Sequence, residues 1–175
     1  KLRSRIKKIR LYQLTEDFQK QMCTFLIKKG IKNFVGVPDS TLKSFIQEAL
    51  QRKKIIITTR EEEAIGIATG MLLANSPSLV FMQNAGFANS LSTITSLVQL
   101  YEFPILFLIG WRGFKKNDAP EHKKIGKIQP KLLNDLELNK KILSKKNWKS
   151  SCSWAIKKIQ NGNSCALIMP REFVD

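Results

Sequence analysis

An alternation of segment types constrains this chain more than anything else. Short apolar runs recur at NFVGV (33–37), IIITT (55–59), SLVFMQ (78–83), PILFLIG (104–110) and CALIM (165–169). Between them lie stretches with helical patterning: 14–30, from Pro38 to about Leu50, 61–75, from beyond NAG (84–86) to about Tyr101, 127–138 and 147–161. Strands separated by helices pair through crossovers, which makes them parallel and covers both sheet faces. The predicted fold class is α/β, a three-layer αβα arrangement around a parallel sheet. Thr15 is the expected cap of the first helix and Gly30 its stop. Pro38, Asp39 and Ser40 are expected to turn the chain and cap the second helix, and Asn89 to open the helix that follows the NAG loop. A loop is expected from the end of PILFLIG through residue 125.

In such sheets ligands bind beyond the carboxyl ends of the strands. Four loops follow directly on strands: VPDS (37–40), TREEE (59–63), QNAGFAN (83–89) and GWRG (110–113). All are polar or contain glycine, and all are predicted along one edge of the domain.

Composition narrows the function classes. No apolar run approaches the roughly 18 residues of a membrane span. Three cysteines without metal or disulfide spacing fit a reducing, cytoplasmic setting, and one histidine, His122, argues against His-rich metal sites and a Ser-His-Asp triad. The formal charge is +16, and residues 112–150 hold twelve Lys/Arg against four acids. A nucleic-acid surface is one reading of this excess, but the lysines are not interleaved with stacking aromatics. The other reading is a solvated lysine-rich surface around a site that attracts anions. Residues 1–13 read as a basic lead-in and 14–175 as a single domain.

The segment TTREEEAIGIATG (58–70) places three adjacent acids at a helix start in a basic chain. Acids there complement the helix dipole whatever else they do. Gly66 and Gly70 inside the helix each cost about 1 kcal/mol relative to Ala, which points to something approaching closely.

The pattern E-x-x-A-x-x-x-A-x-G after a strand resembles the pyrimidine-binding module of thiamine-diphosphate enzymes. GVPDSTLKSF (36–45), EEEAIGIATG (61–70), FMQNAGFANSLSTITSL (81–97), FPILFLIGWRG (103–113) and DAPEHKKIGKI (118–128) resemble, in order, the phosphonopyruvate decarboxylases and sulfopyruvate decarboxylase alpha subunits. The resemblance implies a thiamine-diphosphate-binding fold and decarboxylation of an anionic 2-oxo acid, with phosphonopyruvate the first expectation and sulfopyruvate the alternative. A non-catalytic module of the same fold is a further alternative. Glu61 would be the catalytic acid that accepts a hydrogen bond from N1′ of the cofactor's aminopyrimidine. Glu62 and Glu63 would be capping or surface charges, and Arg60 departs from the family's usual residue. Asp39 would serve catalysis or orientation, and Ser40 with the amides after it would meet the substrate's anionic end. Asn84, Gly86 and Asn89 match the family's QNSGxGN cofactor loop, in which Ala85 and Ala88 here replace Ser and Gly. Arg112 would pair with an acidic substrate or a partner surface, and His122 would carry a proton or contact the anion.

The family's Mg²⁺-diphosphate signature, GDG followed by an Asn pair, does not occur in the sequence. The expectation is a hetero-oligomer. A separate beta subunit carrying GDG would hold Mg²⁺ and the diphosphate, and the small residues of the 61–75 helix would face it. A longer chain, of which this is a piece, would serve as well.

Overall fold

The computed structural model describes residues 18–113 and 118–171; the basic lead-in and Thr15 lie outside them. Six strands pair in parallel: β1 (Asn33–Gly36), β2 (Ile55–Ile57), β3 (Ser78–Gln83), β4 (Leu106–Trp111), β5 (Asn139–Ile142) and β6 (Cys165–Pro170), in the order β2-β1-β3-β4-β6-β5. β3, β4 and β6 are apolar on both faces and occupy central positions, with nearly every residue buried. β5, the sequence NKKI, was not expected as a strand. It lacks the alternation of apolar residues because it is a mostly exposed edge strand, and its lysines suit an edge.

The helices are α1 (18–28), α2 (Lys43–Gln51), α3 (Glu61–Leu73), α4 (Asn84–Asn89), α5 (Leu91–Thr93, continuing as a π-helical Ile94–Gln99), α6 (Pro120–Asp135) and α7 (Trp148–Gln160). Side-chain alternation along the strands divides the core. Phe34, Leu79, Phe81, Leu106, Leu108 and Leu167 face α1, α2 and α7. Val35, Val80, Met82, Phe107, Ile109 and Ile168 face α3, α4, α5 and α6. Gly30 ends α1 with φ +106, a conformation that favours glycine.

Three local expectations are corrected. The second helix is not capped by the side chains of Asp39 or Ser40: Asp39 precedes a short 3₁₀ turn, Ser40–Leu42, and makes no side-chain capping bond. Buried Gln19 of α1 takes that role, accepting from the Phe45 amide at 3.0 Å and donating to the Thr41 carbonyl at 2.9 Å. The fourth helical stretch opens at Asn84, directly from β3, and exposed Asn89 is the last residue of α4 rather than the first of a helix. The loop expected through residue 125 is already helix from Pro120, whose fixed φ suits a first helical position. Pro130 then sits inside α6, where it offers no N–H to the Gly126 carbonyl four residues back. The Trp111 indole N–H donates to that carbonyl at 2.9 Å, which ties the end of β4 to α6.

Candidate active site at the carboxyl edge of the sheet

Because every strand is parallel, the residues following β1, β2, β3, β4 and β6 share one edge. The register brings Gly36 beside Ile57 and Phe81, Gln83 beside Gly110, and Trp111 beside Pro170.

Asp39 folds back over the end of β4. A Cβ on Gly110 would collide with Asp39 Oδ2 and stand 3.1 Å from Thr41 Cβ, so only glycine leaves room for the carboxylate. Asp39 is 6% exposed. Its Oδ1 accepts from Gln83 Nε2 at 3.1 Å, whereas buried Oδ2 has no hydrogen-bond partner among the described residues. Buried carboxylate oxygens are normally satisfied, so the unpartnered Oδ2 marks Asp39 as a candidate site residue.

Asn84 spends its carboxamide on the β4 loop. Nδ2 donates to the Arg112 carbonyl at 2.9 Å and Oδ1 accepts from the Arg112 amide at 3.2 Å. This side chain, expected at the cofactor, clasps the β4 loop at the point where the chain turns from β3 into α4.

Arg112 is held within the chain. Nε and Nη2 grip Asp118, with Nε at 3.2 and 3.1 Å from its two oxygens and Nη2 2.8 Å from Oδ1. Nη1 donates to Ser40 Oγ at 3.1 Å. Asp118 also accepts from the Gly113 amide at 2.6 Å and the Ala119 amide at 2.9 Å, and Arg171, just past β6, reaches Oδ1 at 2.5 Å. Hydrogen bonding to Arg112, and then to the two amides, holds the Asp118 carboxyl well below the usual carboxylate range, outweighing burial, which acts the other way. The bond from Asp118 correspondingly raises the Arg112 guanidinium.

Glu61 begins α3 and lies across the loop from Gly86. A Cβ on Gly86 would fall on the Glu61 carboxyl group, so the carboxylate rests against the bare Cα. Glu61 is half-buried, and its side chain makes no hydrogen bond or ion pair among the described residues. Glu63 instead caps the helix, accepting from the Thr59 amide and hydroxyl at 3.2 Å each, as expected of a second-rank acid in this cluster.

The other candidates are not joined to this group. His122 Nε2 stands 3.9 Å from Glu121 Oε1, and no hydrogen bond ties it to Glu61 or Asp39. Its backbone carbonyl packs at Gly113, which has φ +73. Gly66 and Gly70 have open space where a Cβ would stand, so the close approach inferred for them is not made within this chain. Four contributors escaped the sequence reading: Gln19, Gln83, Asp118 and Arg171. Asp118 had a legible signal, an acid two residues before a proline that starts a helix. The others are recognisable only once distant segments are brought together.

Comparison with known proteins follows the same lines. Residues 17–137 match the family described as thiamine pyrophosphate enzyme, N-terminal TPP binding domain. The sulfopyruvate decarboxylase subunit alpha of Methanococcus maripaludis is 36% identical over 115 residues, 65% of this chain and 69% of that subunit. The same subunit of Methanocaldococcus jannaschii is 38% identical over 105 residues, 59% of this chain and 62% of that one. A phosphonopyruvate decarboxylase of Streptomyces viridochromogenes is 30% identical over 108 residues, 60% of this chain and 27% of that protein. A solved 2-oxoglutarate:ferredoxin oxidoreductase from Magnetococcus marinus superposes with a TM-score of 0.66 at 12% identity, covering 89% of this chain and 29% of that one, a likeness of fold.

Proposed function

Since the chain belongs to the thiamine pyrophosphate enzymes, through their N-terminal TPP-binding domain and among thiamine-diphosphate-dependent decarboxylases, we propose that it is the pyrimidine-binding subunit of a sulfopyruvate decarboxylase. The carrying observation is Glu61: a carboxylate at the carboxyl edge of the sheet, seated on a bare Cα and left without a partner of its own. This fits thiamine diphosphate. Glu61 would hold the aminopyrimidine through a hydrogen bond, and Gly86 would keep the cradle open. When bound, the cofactor supplies the electron sink that lets a 2-oxo acid lose CO₂.

The chain's own residues do the rest. Glu61 would hold or release a proton at its carboxyl group, facing the aminopyrimidine. Asp39 Oδ2, the unsatisfied acceptor, orients a donor on the reacting molecule. Ser40 and Arg112 offer an O–H and an N–H to the substrate's anionic end. Asn84 orders the loop behind Gly86. Asn89, exposed at the far end of α4, and His122, turned to Glu121, have weaker support as cofactor and proton-transfer residues.

The relatives support the alternative substrate, sulfopyruvate, better than the first expectation, phosphonopyruvate. The alpha subunits that act on sulfopyruvate are more similar over comparable lengths than the phosphonopyruvate enzyme, of which the chain spans about a quarter. Support for a partner comes from the alpha-subunit relatives. That partner would hold Mg²⁺ and the diphosphate, and the open Gly66–Gly70 face of α3 is the proposed contact. Buried free Cys23, Cys152 and Cys165 support a reducing compartment, the cytoplasm, and no described helix is long and apolar enough to cross a membrane.

The test is CO₂ release from sulfopyruvate and phosphonopyruvate with thiamine diphosphate and Mg²⁺, using this chain with its GDG-bearing partner. Faster turnover of sulfopyruvate, requiring both chains, is expected. Turnover of phosphonopyruvate alone would restore the first sequence expectation. A stable complex inactive on both would favour a non-catalytic module.

A further inference from the structure

We propose that Asp118 is the positioning residue of a sulfonate subsite, presenting Nη1 of Arg112 and the hydroxyl of Ser40 as a paired donor. This rests on the decarboxylase reading for its substrate, but its geometry stands alone. The guanidinium of Arg112 has three nitrogens, and Asp118 occupies two of them, Nε and Nη2. A planar fork fixed at two corners cannot rotate, so the direction of the third is set. That third nitrogen, Nη1, meets Ser40 Oγ at 3.1 Å. Because Oγ accepts this bond, its own proton remains to donate, and Nη1 keeps a second N–H. Ser40 is exposed, and its bond with Arg112 lies at the edge where ligands bind. Two such donors beside a fixed positive charge suit a tetrahedral oxyanion.

Asp118 itself is not the ligand of a swinging arm. Two backbone amides and Arg171 also bind it, so its carboxylate is anchored from the β4 loop, from the start of α6 and from the end of β6. Arg171 places a second guanidinium on the same carboxylate. The cluster of Arg112, Arg171 and Asp118 therefore carries one net positive charge, which Asp39 and Glu121 nearby temper. A bound sulfonate would be held by directed donors more than by bulk charge.

The test compares wild type, Asp118→Asn and Arg112→Lys in two assays. In the first, the chain is titrated with sulfoacetate by isothermal titration calorimetry, with circular dichroism to confirm folding. Saturable binding by wild type, weakened tenfold or more in both folded variants, is expected. Wild type that does not bind sulfoacetate, or an Asp118→Asn chain that binds it equally well, would overturn the subsite. In the second, the two-chain complex is assayed on sulfopyruvate. A KM raised about tenfold in Asp118→Asn with kcat within about threefold is expected, because the donors bind and do not react. A fall in kcat at unchanged KM would overturn the positioning role. Sulfoacetate binding without turnover by the wild-type complex would leave the subsite standing and remove the decarboxylase reading.

Discussion

The carboxylate of Glu61, at the start of α3, lies against the Cα of Gly86 in α4, two residues brought together at the carboxyl edge of the sheet. Substituting Gly86 with Ala would put a methyl group where that carboxylate sits. The obstruction is the far end of a flexible side chain, which can swing away, and Ala favours a helix by about 1 kcal/mol over Gly. The expected outcome is a chain as stable as wild type in urea, with decarboxylation by the complex reduced tenfold or more.

Glu61→Gln keeps the shape of the side chain and removes its acid–base function. Loss of a positioned proton-transfer group reduces rates about 10²–10⁴-fold. Steady-state CO₂ release should fall within that range while the melting temperature stays near that of wild type, since the Glu61 side chain makes no hydrogen bond or ion pair within the described chain.

Gly36→Ala should behave oppositely. Its Cβ would strike the backbone carbonyl of Phe81 on the paired strand, and backbone at the centre of a sheet cannot step aside. A loss of about 3 kcal/mol or more is expected, read from the midpoint of urea denaturation.

Asp118 makes stability depend on pH in a defined direction. Its carboxyl is lowered in the folded chain from an ordinary value of 3.8. Its stabilising contribution is therefore complete above that value and is lost as pH falls below it towards the lowered folded pKa. Asp118→Asn should be less stable than wild type at pH 7, by about 3 kcal/mol for a buried pair broken on one side. The gap should narrow at pH 3, in denaturation curves measured at both.

The cysteines should be silent. Burial pushes the thiols of Cys23, Cys152 and Cys165 up to about 12, so almost no thiolate forms at neutral pH. Labelling by iodoacetamide at pH 7.5 should be negligible in the native chain and complete in urea.

The architecture was legible because β3, β4 and β6 are short apolar runs that only a covered parallel sheet can bury. The place of Asp39, Ser40, Glu61 and Gly86 along the carboxyl edge was legible because they follow the apolar runs of β1, β2 and β3, whereas the roles expected of them came from the family resemblance. The edge strand β5 was not, since NKKI has half its pattern in solvent. Nor was the start of α4: the Asn84 carboxamide makes the turn at the strand end by pairing with Arg112, a residue far along the chain. Arg112 itself was identified, but its pairing with Asp118 was not, because a salt bridge across a loop leaves no periodic trace. The Gln19 cap of α2 was hidden for the same reason.

At the carboxyl edge, Gln83 serves Asp39, Asn84 serves Arg112, and Arg112 serves Ser40 and Asp118, which Arg171 joins from the last strand. Each connection satisfies its polar groups with those of its neighbour. No single loop can therefore be lengthened or regrafted without disturbing the next, and chimaeras between relatives should succeed only when these loops are exchanged as a set. The helices and the lysine-bearing edge below offer the freer ground for redesign.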